Sequence, residues 1–167
     1  VVSTGARLFS PTVTVIVSLA PSNTEIVFAI GAGDRLVAHD DFSDYPPEAA
    51  NVPSIGSLYP TVNAEAVVAL KPDLVLAAGI TSREDVEKLV DLGLTVYTTS
   101  IAENLDDIYN DILAVGKLTG SSTEAEELVN DLKARVDAVT AITGTASTKP
   151  IVFYEVDATE PSKPWTA

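Results

Sequence analysis

Short apolar runs alternate along the chain with segments in which apolar residues recur at helical spacing. The apolar runs predict β-strands near residues 14–19, 35–38, 54–55, 74–78, 95–98 and 151–155. The helical spacing predicts α-helices near residues 23–30, 64–70, 83–92 and 105–119. Because strands and helices alternate, we expect an α/β fold of the Rossmann-like kind, in which helices flank a parallel sheet and the crossovers are right-handed.

Glycine, proline and serine mark the ends of several predicted elements. Lys71-Pro72-Asp73 ends one helix and starts the next strand. Gly31-Ala32-Gly33 follows a helix and does not open one, so we interpret it as a helix end and a turn, not as a dinucleotide-binding motif. At the first strand-to-helix turn, we interpret Ser22 as the helix N-cap, with Glu25 as its reciprocal partner.

A longer helix follows Gly120. Its apolar positions keep helical spacing from residue 123 to 142, and Thr123 and Glu126 fit a capping box. About 20 residues at 1.5 Å each give a rod of ~30 Å. The strand predicted at 151–155 then opens a new unit that has no partner unit after it. We therefore expect an α/β lobe over residues 1–120, a connecting helix over 121–144 and the start of a truncated second lobe over 149–167.

Charge and composition narrow the class of protein. The formal net charge is -14, from 24 acidic and 10 basic residues, which argues against nucleic acid and anionic lipid as partners. The absence of cysteine excludes disulfides and thiolate chemistry, and the single histidine excludes a multi-histidine metal site. No apolar run approaches the roughly 20 residues that span a bilayer. Because position 1 is not methionine and residues 1–14 lack signal-peptide features, we expect a chain trimmed at its start.

Polar and aromatic residues follow the predicted strands. In a parallel sheet the segments Pro21-Ser22-Asn23, 40–45, 57–61, 79–82 and Ser100 converge on one edge. They offer hydroxyls, amides and three aromatic rings, as a small-molecule cleft does, although turns are polar in any case and lone tyrosines commonly form a rim. The candidate ligand-binding residues are Pro21, Ser22, Asn23, Phe42, Tyr45, Tyr59, Gly79 and Thr81.

The sequence gives little support to the hypothesis that the chain is an enzyme. Ser22 sits where a nucleophile would, but it lacks the glycines of a nucleophile elbow, so a serine hydrolase is a remote alternative. His39 beside Asp40 and Asp41 would suit an acid–base or metal cluster, yet a lone histidine at a strand end is more often structural. We expect no catalytic activity, no resident cofactor and no metal site, with His39 as the weak candidate for a ligand.

The chain resembles the cobalamin- and siderophore-type periplasmic substrate-binding proteins of ABC importers. Five pieces, in order over about 120 residues, carry the resemblance: Val17-Ser18-Leu19-Ala20-Pro21-Ser22-Asn23-Thr24-Glu25, Gly31-Ala32-Gly33-Asp34-Arg35, Ser43-Asp44-Tyr45-Pro46-Pro47-Glu48-Ala49, Val62-Asn63-Ala64-Glu65 and Leu70-Lys71-Pro72-Asp73-Leu74-Val75-Leu76-Ala77. The resemblance implies two α/β lobes joined by one long helix, with the ligand held between them. It also implies a monomer that works outside the cytoplasm, in the periplasm or as a cell-surface lipoprotein.

The resemblance further implies a ligand and a partner. The Phe-Ser-Asp-Tyr-Pro-Pro form of the second loop looks most like cobalamin binders, in which Phe42 and Tyr59 would touch the corrin. Glu65 matches a glutamate that meets arginines of the permease. Ala77-Ala78-Gly79 carries no ring where a cobalamin binder can place one, so a ferric siderophore remains an alternative ligand. Haem or a metal held through His39, Asp41 and Tyr45 is the other alternative.

Overall fold

The computed structural model describes residues 13–152, together with the backbone of residues 155–157 and 165–166. The chain divides into two compact units, Val1–Leu132 and Lys133–Ala167. The first unit contains a parallel sheet covered by helices. The second contains the end of a long helix and an antiparallel pair of short strands, Glu155–Asp157 and Trp165–Thr166.

The sheet of the first unit has four strands, all parallel, in the order β2-β1-β3-β4. The strands are β1 (Ile16–Ser18), β2 (Leu36–Ala38), β3 (Leu74–Ala77) and β4 (Val96–Thr98). The helices are α1 (Pro21–Ala29), α2 (Ala64–Ala69), α3 (Arg83–Asp91), α4 (Leu105–Thr119) and α5 (Ser122–Thr143), with short 3-10 turns at Gly33–Arg35 and Pro47–Asn51. The predicted α/β fold with a flanked parallel sheet is therefore confirmed.

Alternation along the central strands divides the core into two layers. Ile16, Leu74 and Leu76 point to the layer formed with α1, α4 and α5. Val17 and Val75, one residue along each strand, point to the layer formed with α2 and α3. Because successive strand side chains face opposite sides of a sheet, a strand buried on both faces must be apolar at every position. This explains why β3 is an unbroken apolar run.

The start of α1 differs from the sequence interpretation. Ala20 is the N-cap, without a side-chain capping bond, and Pro21 is the first helical residue. Proline suits this position because its fixed φ is already helical and its missing N–H has no helical partner there. The helix therefore begins before Ser22, and the prediction that Ser22 caps it with Glu25 was wrong.

Two other predicted element starts also need correction. Residues 54–55 do not form a strand of the sheet; Ser54 makes only an isolated parallel bridge with His39. Helix α5 begins at Ser122, which places Thr123 inside its first turn instead of at the cap. The backbone carbonyl of Ser121 already accepts a helical bond from the N–H of Ala125, at 3.0 Å.

The predicted strand at 151–155 is only partly covered by the structure. Residues 151 and 152 are not in a strand, residues 153 and 154 lie outside the described residues, and Glu155 begins the short strand of the second unit. The proposed start of a second lobe at 149–167 lies largely outside the described residues and stays a prediction.

Candidate ligand-binding cleft

The sheet has a crevice at the carboxyl ends of β1 and β3. The chain leaves β1 into α1, which packs on one face of the sheet, and leaves β3 into α3, which packs on the other. Two neighbouring parallel strands whose connections leave to opposite faces open a gap at their carboxyl ends, and open α/β sheets bind ligands there. The turn after β1 and the turn after β3 therefore form the walls of the candidate site.

A cavity of about 950 Å³ opens at this crevice. Its size falls within the ~300–1,000 Å³ of small-molecule sites, and most of its lining is apolar. The segments between each strand and the next helix, together with the first turn of α1, supply Ala20, Pro21, Ser22, Asn23, Tyr45, Pro46, Glu48, Ala78, Gly79, Ile80, Thr99, Ser100, Ile101 and Ala102. Helices α1, α4 and α5 supply Glu25, Ile26, Phe28, Ala29, Ile108, Asp111, Ile112, Leu128 and Leu132.

The structure brings together five of the eight predicted ligand-binding residues. The cavity is lined by Pro21, Ser22, Asn23, Tyr45 and Gly79. Phe42, Tyr59 and Thr81 lie outside its lining. The rings of Phe42 and Tyr59 are nevertheless 61% and 74% exposed, so both stay predictions as ligand contacts.

Hydrogen bonds fix the base of the cleft. The side chain of Asn23 is fully buried and donates from Nδ2 to the carbonyl of Ala77, at 2.9 Å. Its Oδ1 accepts from Thr99 Oγ1, at 3.1 Å. Helix α1 is thereby tied to the ends of β3 and β4, and the amide of Asn23 is committed to the fold.

The turn after β3 is held in the same way. Thr81 Oγ1 accepts from the N–H of Ala78 at 3.1 Å, so this hydroxyl shapes the turn. A Cβ on Gly79 would lie 2.8 Å from the backbone nitrogen of Ile101. Glycine at this position therefore lets the turns after β3 and β4 approach each other at the cavity wall.

A second buried network holds the loop that carries Phe42 and Tyr45. Asp40 accepts from Ser43 Oγ at 2.5 Å and from the N–H of Phe42 at 3.1 Å. Ser43 Oγ lies 2.9 Å from Thr24 Oγ1, in helix α1. The loop is thus tied to the first turns of α1, which keeps the ring of Tyr45 at the cavity.

His39 is not directed at a ligand. It is 7% exposed, its Nδ1 lies 2.6 Å from the carbonyl oxygen of Asp40, and its Nε2 lies 3.1 Å from the carbonyl oxygen of Ala49. Asp41 accepts from Ser54 Oγ at 2.6 Å. Within the part of the chain that the structure describes, no three His, Cys, Asp or Glu side chains are grouped as metal ligands. The acid–base and metal interpretation of His39 has no support in this geometry.

Sequence reasoning missed the apolar part of the cavity. Ile80 and Ile101 are exposed in the turns that follow β3 and β4, and Ile108 is exposed on α4. An isoleucine in the turn three residues after a strand, where turn residues are normally polar, is a signal that the sequence does contain. The contribution of Leu128 and Leu132 carried no such signal, because it depends on how α5 packs beside α1 and α4.

The chain belongs to a family of binding proteins. Residues 16–162 match the family of periplasmic binding proteins, so the family resemblance is confirmed. No helix among residues 13–152 is long and apolar enough to cross a membrane.

Two curated relatives are 37% identical to the chain. One is an uncharacterized ABC transporter substrate-binding lipoprotein of Bacillus subtilis (strain 168), matched over 146 residues that make up 84% of this chain and 46% of the relative. The other is a vitamin B12-binding protein of Vibrio cholerae, matched over 141 residues, 83% of this chain and 49% of the relative. The chain therefore spans about half the length of the curated relatives it matches.

Solved structures share the fold. The periplasmic vitamin B12 binding protein BtuF of Vibrio cholerae superposes with a TM-score of 0.75 at 34% identity, over 87% of this chain and 56% of that protein. The periplasmic haem-binding protein RhuT of Roseiflexus superposes with a TM-score of 0.81 at 26% identity, over 93% of this chain and 59% of that protein. Proteins of similar fold thus bind different large ligands.

Proposed function

We propose that the chain is the N-terminal, ligand-binding part of an extracytoplasmic solute-binding protein that delivers cobalamin or a related corrinoid to an ABC importer. The observation that carries the proposal is the apolar cavity of about 950 Å³ at the carboxyl ends of β1 and β3. The 37% identity to a vitamin B12-binding protein supports a corrinoid as its ligand. The role is binding and delivery without chemical change to the ligand.

The chemistry of the cleft suits a large ligand with apolar edges. Three exposed aromatic rings, on Phe42, Tyr45 and Tyr59, lie on the loops that follow β2, and Tyr45 also lines the cavity. Aromatic rings that remain exposed in a folded chain are suited to cover an apolar surface of a partner or ligand. A corrin ring offers such edges.

The alternative ligands are haem and a ferric siderophore. The fold similarity to a haem-binding protein favours the first, and Tyr45 is a cavity residue whose phenolic oxygen could ligate iron. A hydrolase that uses Ser22 has weaker support, because the histidine of this chain bonds to backbone carbonyls away from Ser22. Ser22 also lies in the first turn of α1, without a general base bonded to it among residues 13–152.

Titration with three ligands tests the proposal. The chain is titrated by calorimetry and visible absorption with cyanocobalamin, haem and ferrichrome, a neutral ferric siderophore. We expect saturable binding of cyanocobalamin in preference to the other two. Binding of haem or ferrichrome without binding of cyanocobalamin would overturn the corrinoid assignment. Turnover of an ester substrate would support the alternative that the chain is a hydrolase.

Removal of the exposed rings is expected to weaken cobalamin binding. Replacement of Phe42, Tyr45 or Tyr59 by Ala should each cost about 1–2 kcal/mol of binding free energy, at ~25 cal/mol per Å² of apolar surface with partial burial. Calorimetric titration with cyanocobalamin measures the loss. Leu92→Ala is the control, because Leu92 is an exposed apolar residue at the end of α3.

Tyr45→Phe separates packing from iron ligation. The substitution keeps the ring and removes the phenolic oxygen, so cobalamin binding should stay within about twofold if the ring acts by contact. A collapse of haem binding in Tyr45→Phe, with cobalamin affinity unchanged in all three Ala variants, would favour a ligated iron centre.

Glu65 is expected to serve in permease docking. It is exposed in the first turn of α2, which Asn63 caps by accepting from the N–H of Ala66 at 3.1 Å. Because the cap is made by Asn63, charge reversal in Glu65→Arg should leave ligand affinity within about twofold. It should lower transport by a cobalamin importer in vesicles several-fold, and more at low salt, because exposed charges are screened by ions.

Glu84→Arg is the matched control for Glu65→Arg. Glu84 is also an exposed acid in the first turn of a helix, α3, so the variant makes the same change of charge elsewhere. Equal transport rates for the two variants would contradict the docking role. Glu65 would then be only an acidic residue in the first turn of a helix, where it interacts favourably with the helix dipole.

A further inference from the structure

Among the residues that the structure describes, the charged ones that line the cleft are all acidic. Three carboxylates, on Glu25, Glu48 and Asp111, stand among the residues that line the cavity, and no lysine or arginine does. The cavity belongs to a chain with a formal net charge of -14. The formal charge is therefore negative both at this cleft and over the whole chain.

The three carboxylates are not equivalent. Asp111 accepts from the N–H of Ser100 at 3.0 Å and from Ser100 Oγ at 2.7 Å, so it holds the turn after β4. Glu25 and Glu48 are exposed at the cavity, and neither carboxylate forms an ion pair or a hydrogen bond within residues 13–152. The carboxylates of Glu25 and Glu48 are the ones that a ligand meets without a competing partner.

The N-terminus of α1 opposes the effect of the carboxylates, because it favours an anion at the cleft. The N-terminus of α1 opens at the cavity, and the positive end of a helix dipole favours an anion. Its first residue is proline, which offers no N–H, and the N–H of Thr24 already bonds to the carbonyl of Ala20 at 3.1 Å, so the N–H groups of Ser22 and Asn23 are the donors that remain in this turn. Glu25 lies one residue further along the same helix, where its full charge offsets the partial charge of the dipole.

We infer that Glu25 and Glu48 determine specificity by excluding anionic ligands, so that the cleft accepts neutral or cationic macrocycles. This inference rests on the proposed function, because it assigns a ligand class to the same cleft. An anionic ligand would lose hydration and gain no cationic partner from the described wall, whereas amide groups can donate to both carboxylates. A corrinoid with its peripheral amides intact meets this requirement, and polycarboxylate or catecholate chelates do not.

A pair of corrinoids that differ in charge tests the inference. Cyanocobalamin is neutral, and its monocarboxylic acid, in which one peripheral amide is hydrolysed, differs from it by a single carboxylate. The chain and the double variant Glu25→Gln/Glu48→Gln are titrated with both compounds. We define the preference as the ratio of the dissociation constants of the charged and the neutral corrinoid. We expect this ratio to fall about three- to tenfold in the variant, because each exposed charge contributes modestly. Raised salt should narrow the preference of the unmodified chain in the same direction.

The control is the double variant Glu84→Gln/Asp91→Asn, which removes two exposed carboxylates from α3. It changes net charge equally, so it should leave the preference unchanged if the effect is local. If cyanocobalamin binds and Glu25→Gln/Glu48→Gln has the same preference as the unmodified chain, the inference fails while the proposed function stands. Equal narrowing in the control would also overturn it, because the effect would then belong to the net charge.

Failure of the proposed function gives a different pattern. If the unmodified chain binds neither corrinoid, the same variants are titrated with haem, which carries two propionates. A several-fold gain of haem affinity in Glu25→Gln/Glu48→Gln, absent in the control, supports charge exclusion for another ligand. Unchanged haem affinity overturns the inference.

Discussion

Leu76→Ala is expected to lower the free energy of unfolding by about 2–5 kcal/mol, the largest effect of a single substitution that we predict. Leu76 is fully buried in β3, between its neighbours β1 and β4, and belongs to the core layer formed with α1, α4 and α5. Truncation removes buried methyl groups and leaves a cavity that a sheet strand held on both sides cannot close. Urea denaturation followed by circular dichroism measures the change.

Leu92→Ala serves as the matched comparison for Leu76→Ala. Leu92 follows α3 and is 50% exposed, so the same truncation should cost less than about 1 kcal/mol. Similar losses in the two variants would contradict the assignment of β3 to the centre of the core.

Asp85→Ala is expected to cost about 1–3 kcal/mol of folding stability, because it leaves the buried N–H of Val62 and the hydroxyls of Thr61 and Ser82 without their acceptor. The Asp85 carboxylate is buried at the start of α3 and accepts from Thr61 Oγ1, from Ser82 Oγ at 2.7 Å and from the N–H of Val62 at 3.2 Å. These bonds attach the end of the loop that carries Tyr59 to α3. Glu84→Ala, an exposed acid in the same turn, should cost less than about 0.5 kcal/mol.

The same carboxylate makes stability depend on pH. Burial raises the pKa of Asp85. Hydrogen bonds from Thr61, Ser82 and Val62 and the charge of Lys88 together lower the pKa by more than burial raises it, so the pKa in the folded chain lies below 3.8. A lowered pKa means that the stabilisation is complete above the unfolded value and is lost as pH falls from 3.8 through the folded value. Denaturation curves between pH 7 and pH 3 should show a smaller acid loss in Asp85→Ala than in the unmodified chain. Parallel curves would assign the acid sensitivity to other groups.

The sequence predicted the elements whose signals are local. Helix α4 has the predicted bounds, because Asn104 and Asp107 form a capping box at its start and Gly120, with φ of 78°, ends it. The parallel sheet follows from buried strands that alternate with helices. The start of α1 was missed because two local signals competed, the serine cap and the proline at the first position, and the proline decided the start.

The candidate site was only partly predictable, for a physical reason. Sequence alone indicated that the turns after β1, β2 and β3 share an edge, because all parallel sheets place them there. The sequence did not indicate which side chains of these turns point into a common cavity. Tyr45 lines the cavity and Tyr59 does not, although both tyrosines precede proline in exposed loops.

What the sequence determined by itself is the α/β class, the order of the elements of the first unit apart from the strand predicted at 54–55, and the membership of a binding-protein family, because periodicity, helix ends and short motifs are properties of neighbouring residues. The tertiary structure decided which residues of different elements contact each other. Only the packing of α5 beside α1 and α4 brings Leu128 and Leu132 to the cavity, and only the position of the loop after β2 places Glu48 at the same cavity as Glu25. Contacts between residues far apart in sequence are set by the packing of whole elements, which no local pattern records.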